Sequence, residues 1–247
     1  MNAEAVKRVS VCMATYNGQD YLAEQISSIL DQLSPEDELI VVDDASKDAT
    51  VDVIRSMNDS RIVLLPNPEN QGYVSSFEKA IAASKGAYIM LSDQDDIWLP
   101  GRVEKLVDSL QTKAFAASNF TVFGGPANKL QKVQLKKADS GRWLSNLVTT
   151  WIGIRPYYGC TMAFRADAKP LILPFPTFLT ETHDQWIAIV ANINRQMEHV
   201  ESATVARRLH EQNTTPKSRR PISKIVRARI MLLRAFLVAL RRKSQTT

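Results

Sequence analysis

Residues 87–96 read Ala-Tyr-Ile-Met-Leu-Ser-Asp-Gln-Asp-Asp, an apolar run of strand length that ends in three carboxylates within four residues. A short apolar run bounded by a polar cluster predicts a buried strand. Working outward, residues 9–13 run into Ala14-Thr15-Tyr16-Asn17-Gly18, residues 38–42 run into Asp43-Asp44-Ala45-Ser46-Lys47, and residues 61–65 form a further apolar run. Helical spacing fills the gaps: up to Leu30, over 50–57 and over 73–84. Strand and helix alternating in this way predict an α/β fold with a largely parallel central sheet flanked by helices. In open sheets of that kind ligands bind beyond the carboxyl ends of the strands. Tyr16 and Asn17, Asp43 and Asp44, and Asp93, Asp95 and Asp96 are therefore expected around one crevice.

The second half is less regular. Residues 143–151 and 182–191 have helical spacing, 157–164 reads as a loop leading into a strand, 203–206 as a weak strand, and 129–142 as a mobile polar loop. This predicts one folded domain over 1–215, divided near residue 115 into a regular first half and a less regular second half over about 116–215. A basic tail, 216–247, follows it.

A chain of 247 residues that is 45% hydrophobic can bury a sizeable core, which excludes global disorder. No apolar run follows the first charges and no stretch reaches a spanning length, so neither a secretion signal nor a membrane span is expected, and the chain reads as cytoplasmic. Cys12 and Cys160 lack CxxC spacing and are expected to be reduced core thiols. There is no GxGxxG after the first strand and no GxxxxGK[ST], so dinucleotide and P-loop chemistry lack their phosphate cradles. Three histidines supply no His-rich zinc site.

Three negative charges at a strand end repel one another unless a cation neutralises them. A hard divalent ion, Mg²⁺ or Mn²⁺, takes oxygen ligands and bridges carboxylates to substrate phosphates. The residues alone leave a second reading open, a solvated acidic turn in which Asp96 caps a helix beginning near Pro100.

VSVCMATYNGQDYLAEQISSIL, VVDDASKDAT, NQGYVSSFEKAI and LSDQDDIWLPGRVEKL, in that order across about residues 8–110, resemble the successive blocks of a family 2 glycosyltransferase. The resemblance implies a GT-A fold and an inverting, metal-dependent transfer of a sugar from a nucleotide-diphosphate donor, UDP- or dTDP-linked. The acceptor would be a hydroxyl of a glycan or lipid-linked glycan. The wording of the fourth block is most similar to rhamnosyltransferase-like members of surface-polysaccharide assembly. Carried over, it places Thr15 and Tyr16 against the nucleotide base, with Asn17 in the same donor loop and Asp44 on the base's imide edge. Asp93 would face the ribose or sugar, and Asp95 would ligate the metal. Thr182-His183-Asp184-Gln185-Trp186 resembles the catalytic block, with Asp184 as general base; a helix cap is the other reading of Asp184, and Trp186 reads equally as a sugar platform or as core. Arg208-Leu209-His210 resembles a segment over the diphosphate, giving Arg208 to the leaving group and His210 to the metal. Arg207 departs from the pattern, standing where an aromatic residue is common. Tyr158, Gly159 and Cys160 would form the acceptor-side loop. A nucleotidyltransferase is the competing enzyme reading, but the Gly-rich basic loop it needs after the first strand is missing.

The charge is uneven. Of 31 Lys and Arg, ten follow Glu211 with no acid among them, leaving 21 bases against 26 acids before that point. Arg220, Arg227, Arg234 and Arg241 recur every seven residues and form one stripe on a helix, with Lys224 and Arg242 beside it. Ile225, Ile230, Leu233, Phe236, Leu237 and Leu240 take much of the rest. Such a helix suits an anionic membrane surface, which would make the protein peripheral at the inner face, or it docks on the acidic body. Without a catalytic body the tail alone would make the chain an anionic-surface module; nucleic acid is a weak candidate partner.

Overall fold

The computed structural model describes residues 8–125, 133–210 and 221–246. The chain runs β1 (Val9–Thr15), α1 (Leu22–Leu30), β2 (Glu38–Asp43), α2 (Thr50–Ser56), β3 (Ile62–Pro66), α3 (Tyr73–Ala83) and β4 (Tyr88–Ser92). There follow β5 (Ile97–Trp98), α4 (Arg102–Leu110), β6 (Phe115–Phe123), α5 (Trp143–Ile152) and β7 (Met162–Arg165). The last elements are α6 (Lys169–Ile172), α7 (His183–Ile193), β8 (Met197–Arg208) and α8 (Ile222–Thr246). One sheet of eight strands has the order β3-β2-β1-β4-β7-β6-β8-β5. β1 pairs in parallel with β2 and β4, β2 with β3, and β6 with β8, while β7 is antiparallel to both β4 and β6. Two reversals through β7 restore the direction, so β1, β2, β4 and β8 all end at the same edge of the sheet.

β2 is buried at every position and β1 at all but one, as expected of central strands covered on both faces. Alternation along β1 sends Cys12 to one core and Val11 and Met13 to the other. The first core holds Phe77 and Ile81 of α3 and Trp186 of α7; the second holds Leu22 and Ile26 of α1 and Leu106 and Leu110 of α4. The helices thus form a layer on each side. Both cysteines are free and buried.

β1 and β4 are drawn together at their start by a buried polar knot. Ser10 Oγ donates to Glu38 Oε1 at 2.6 Å and accepts the Gly86 N–H at 2.7 Å, and Lys85 N–H reaches the same Glu38 oxygen at 2.8 Å. A Cβ on Gly86 would lie 2.6 Å from the backbone nitrogen of Ser10, where neither strand can give way. Gly86→Ala is therefore expected to cost about 1–3 kcal/mol of stability, read as a lower urea midpoint at unchanged slope.

Three expectations need correction. The segment proposed as a mobile loop lies partly outside the described residues, but 133–142 is pinned. Leu135 is buried and exchanges hydrogen bonds with the Asn119 side chain, and Asp139 pairs with Arg142 and Arg155. The weak strand at 203–206 is part of the 12-residue β8, which pairs with β6 along its length through two register shifts at Ser118–Phe120. Asp96 does not cap a helix: it precedes β5, and α4 begins after a left-handed Gly101.

α8 docks on the body, chiefly on α7, through Ala228, Leu232, Ala235 and Ala239. Arg242 reaches the Leu171 and Ile172 carbonyls and lies over Trp186, and Arg234 lies 4.2 Å over Phe178. Phe236 and Arg242 therefore face the body, so of the residues expected on the basic stripe and the apolar face these two belong to the docked side. Arg220 lies outside the described residues. No helix is long and apolar enough to cross a membrane among the described residues.

Candidate active site

At the carboxyl edge, the loop after β1 is fastened by side chains from its neighbours. Tyr16 exchanges hydrogen bonds with Gln94 through both its N–H and its carbonyl, leaving the ring 45% exposed above the crevice. Thr15 is buried, its hydroxyl 3.2 Å from Asp43. Asn17 adopts a positive φ of 47° and is committed to the loop itself, its N–H on Ser46 and its side-chain oxygen on the Lys47 N–H. Asp44 accepts from Gln71 N–H, Gly72 N–H and Asn67 Nδ2, all within 2.9 Å. That organises the 70–72 turn at the start of α3 and leaves about one of the four lone-pair directions of Asp44 for a ligand.

The acidic motif after β4 divides into two parts. Asp95 lies at the outer edge, with its Oδ2 2.7 Å from Nε2 of His210, so the strand-end carboxylate and the histidine after β8 meet. Asp93 and Asp96 sit deeper, within 4.8 Å of the Cys160 thiol. Burial, then the charge of Asp95, pushes Asp93 up to about 6; burial, then Asp93 and Asp95, pushes Asp96 up to about 7. Asp96 Oδ1 accepts the Arg208 N–H, while its buried Oδ2 has no N–H or O–H partner.

Two arginines moderate that charge. Arg102 is fully buried, bonded to Thr204 Oγ1 at 2.6 Å, to the Cys160 carbonyl at 2.7 Å and to the Leu91 carbonyl at 3.3 Å, and burial lowers its pKa to about 10. Arg207 stacks 4.4 Å over Tyr158 and 5.3 Å over Phe120, and its charge reaches Asp93, Asp96 and Asp184. Neither was assigned a role from sequence. Strand alternation was the available signal: on β8, Arg207 and Arg208 must point to opposite sides. Arg208 is held by Glu24 and by the Asp95 carbonyl, between the rings of Tyr21 and Phe123.

Asp184 stands in the first turn of α7, after a left-handed Thr182 at the N-cap position. Its carboxylate accepts the adjacent Gln185 N–H at 2.7 Å and is also faced by the Gly159 N–H, and burial lifts it to about 6, with Asp93 adding to the rise and Arg207 opposing it. His183 stacks 4.1 Å on Phe77, and burial lowers its pKa to about 3 so that it stays neutral. A Cβ on Gly159 would meet His183 Nε2 at 2.8 Å, which is why the 158–160 loop can pass so close to α7. Trp186 is core: fully buried, with its indole N–H on the Ile172 carbonyl.

A divalent cation fits the outer part of this cluster. Asp95 and His210 offer an oxygen and an imidazole nitrogen already in contact, and the charge of Asp95 reaches Asp93. The deeper Asp93–Asp96–Cys160 group suits Mg²⁺ or Mn²⁺ less well, because it contributes a soft thiol and is already faced by Arg102 and Arg207.

The sequence profile of Glycosyl transferase family 2 matches residues 10–169, from β1 to the start of α6. The chain belongs to glycosyl transferase family 2. Among the curated relatives, the Escherichia coli UDP-Glc:alpha-D-GlcNAc-diphosphoundecaprenol beta-1,3-glucosyltransferase WfgD is 34% identical over 188 residues, covering 75% of this chain and 71% of its own. WfaP of Escherichia coli, which bears the same activity in its name, is 32% identical over 116 residues, 46% of each chain. The chain spans about half the length of several of the curated relatives it matches. Among solved structures, S. aureus TarS 1-349 in complex with UDP-GlcNAc superposes with a TM-score of 0.72 at 16% identity, over 92% of this chain and 66% of that one. The likeness is one of fold, and with the family it establishes GT-A.

Proposed function

We propose that the protein is an inverting, metal-dependent glycosyltransferase that moves a hexosyl or deoxyhexosyl group from a UDP- or dTDP-linked donor to a hydroxyl of a glycan or lipid-linked glycan. The observation that carries this is the meeting, at one sheet edge, of a metal-suited pair (Asp95 and His210) with a carboxylate raised toward neutrality on α7 (Asp184). The relatives' names support a UDP-sugar donor and a diphosphoundecaprenol-linked acceptor.

In this reading Tyr16 covers the base and the remaining acceptor direction of Asp44 takes its imide edge. Asp184 accepts the proton of the acceptor hydroxyl as that oxygen attacks the anomeric carbon. The bond from that carbon to the diphosphate oxygen breaks, its electron pair leaves with the nucleoside diphosphate, and a single displacement inverts the centre. A divalent ion held by Asp95 and His210 would supply charge stabilisation to the departing diphosphate. Arg207, near Asp93 and Asp184, keeps the base from rising further and so holds it near the pH at which a general base works best.

Titration calorimetry with UDP and dTDP, with and without Mn²⁺, tests the donor side. Metal-dependent binding is expected, followed by nucleotide release from one member of a donor panel that includes UDP-glucose, UDP-GlcNAc and dTDP-rhamnose. Binding that ignores the metal would refute the metal's part, and nucleotide pyrophosphorylase activity in place of sugar transfer would refute the reaction class.

A further inference from the structure

α8 is apolar on two opposite faces. Small residues seat its inner face on α7, while Val226, Ile230, Leu233, Leu237 and Leu240 fall within about 40° of one line on the outer side, at about 100° per residue. Each is 42–55% exposed. α5 repeats the arrangement: Asn146, Leu147 and Thr150 are buried, and Leu144, Val148, Trp151 and Ile152 are 46–57% exposed on the other side. The two outer faces share an edge, where Trp151 Nε1–H donates to the Arg229 carbonyl at 3.2 Å and Arg229 Nη2 donates to the Ile152 carbonyl at 2.6 Å. Among the described residues, twelve of the sixteen exposed large apolar side chains belong to α8 or to α5 and its end at Ile154. A contiguous apolar surface of that kind marks an interaction site.

Its charge says with what. On the flank away from α5 the apolar line is bordered by Arg227, Arg234 and Arg241; α8 as a whole holds seven Lys and Arg with no carboxylate, and α5 holds no charged residue. Pairing with a second copy through this face would bring rows of arginine together with no acid on either helix to meet them. A layer of lipid phosphates over acyl chains complements both features at once, and an indole at the rim suits the headgroup level.

We propose that α5 and α8 together form a plane that seats on an anionic lipid bilayer. The contact includes α5, which the tail sequence alone did not suggest, and leaves out Phe236 and Arg242. It is independent of the glycosyl-transfer reading.

The test is flotation of the full chain, without nucleotide, on vesicles of phosphatidylglycerol and phosphatidylcholine against vesicles of phosphatidylcholine alone. Binding is expected only to the anionic vesicles and should weaken between about 0.1 M and 0.5 M salt. Leu233→Asp with Leu237→Asp in α8, and separately Val148→Asp in α5, should each lower partitioning about tenfold or more at an unchanged circular dichroism spectrum and thermal midpoint. Wild-type partitioning by the α5 variant would overturn the two-helix plane. A stable dimer in light scattering that the same substitutions dissociate, with no vesicle binding, would give the face to a second copy instead.

Discussion

Asp95→Ala is expected to remove the metal dependence of donor binding and nearly all turnover. Asp95 is the carboxylate of the motif that meets His210, so its loss removes the oxygen ligand of the metal-suited pair. Several kcal/mol of charge stabilisation on the leaving diphosphate correspond to a fall in turnover of about 10³-fold or more. Calorimetry with UDP should give the same weak affinity with and without Mn²⁺, and release of nucleotide from the preferred donor should vanish. Unchanged Mn²⁺-dependent binding would move the metal inward to Asp93 and Asp96.

Asp184→Asn should leave donor binding intact and lower transfer by roughly 10²–10⁴-fold, the contribution of a positioned general base. The amide keeps the shape but cannot take the proton. The pH profile makes the assignment sharper. With Asp184 raised to about 6, the active form is the deprotonated one, so wild-type transfer should rise with pH through about 6 and level off above it. The residual rate of the Asn variant should lack that step. A surviving step would assign the base to another group.

The nucleotide side of the fold was legible because each central strand is a pure apolar run that ends abruptly in polar residues, and β1, β2 and β4 lie within a few residues of their predicted bounds. β6 and β8 hid for physical reasons. Phe115-Ala-Ala-Ser-Asn has small residues where a strand's bulky side chains are expected, and Glu198, His199 and Glu201 break the apolar pattern of β8, although His199 is buried on Tyr157. Their pairing, across about 80 residues of chain, is a tertiary fact with no local signature. The meeting of Asp95 with His210 was expected only through resemblance to a family; no spacing announces a contact between residues 115 positions apart. Arg102 was unreadable in another way, because an arginine opening an amphipathic helix has the look of a solvated residue.

That arginine has a consequence for how such an enzyme is inherited. Its guanidinium joins the Leu91 carbonyl of β4, the Cys160 carbonyl of the 158–160 loop and the Thr204 hydroxyl of β8. β4, the 158–160 loop and β8 are thus closed by one cation carried on α4. A shortened chain ending near residue 115 would strand that charge in the interior, and a chimera that grafts another member's C-terminal half would have to reproduce the same carbonyl and hydroxyl.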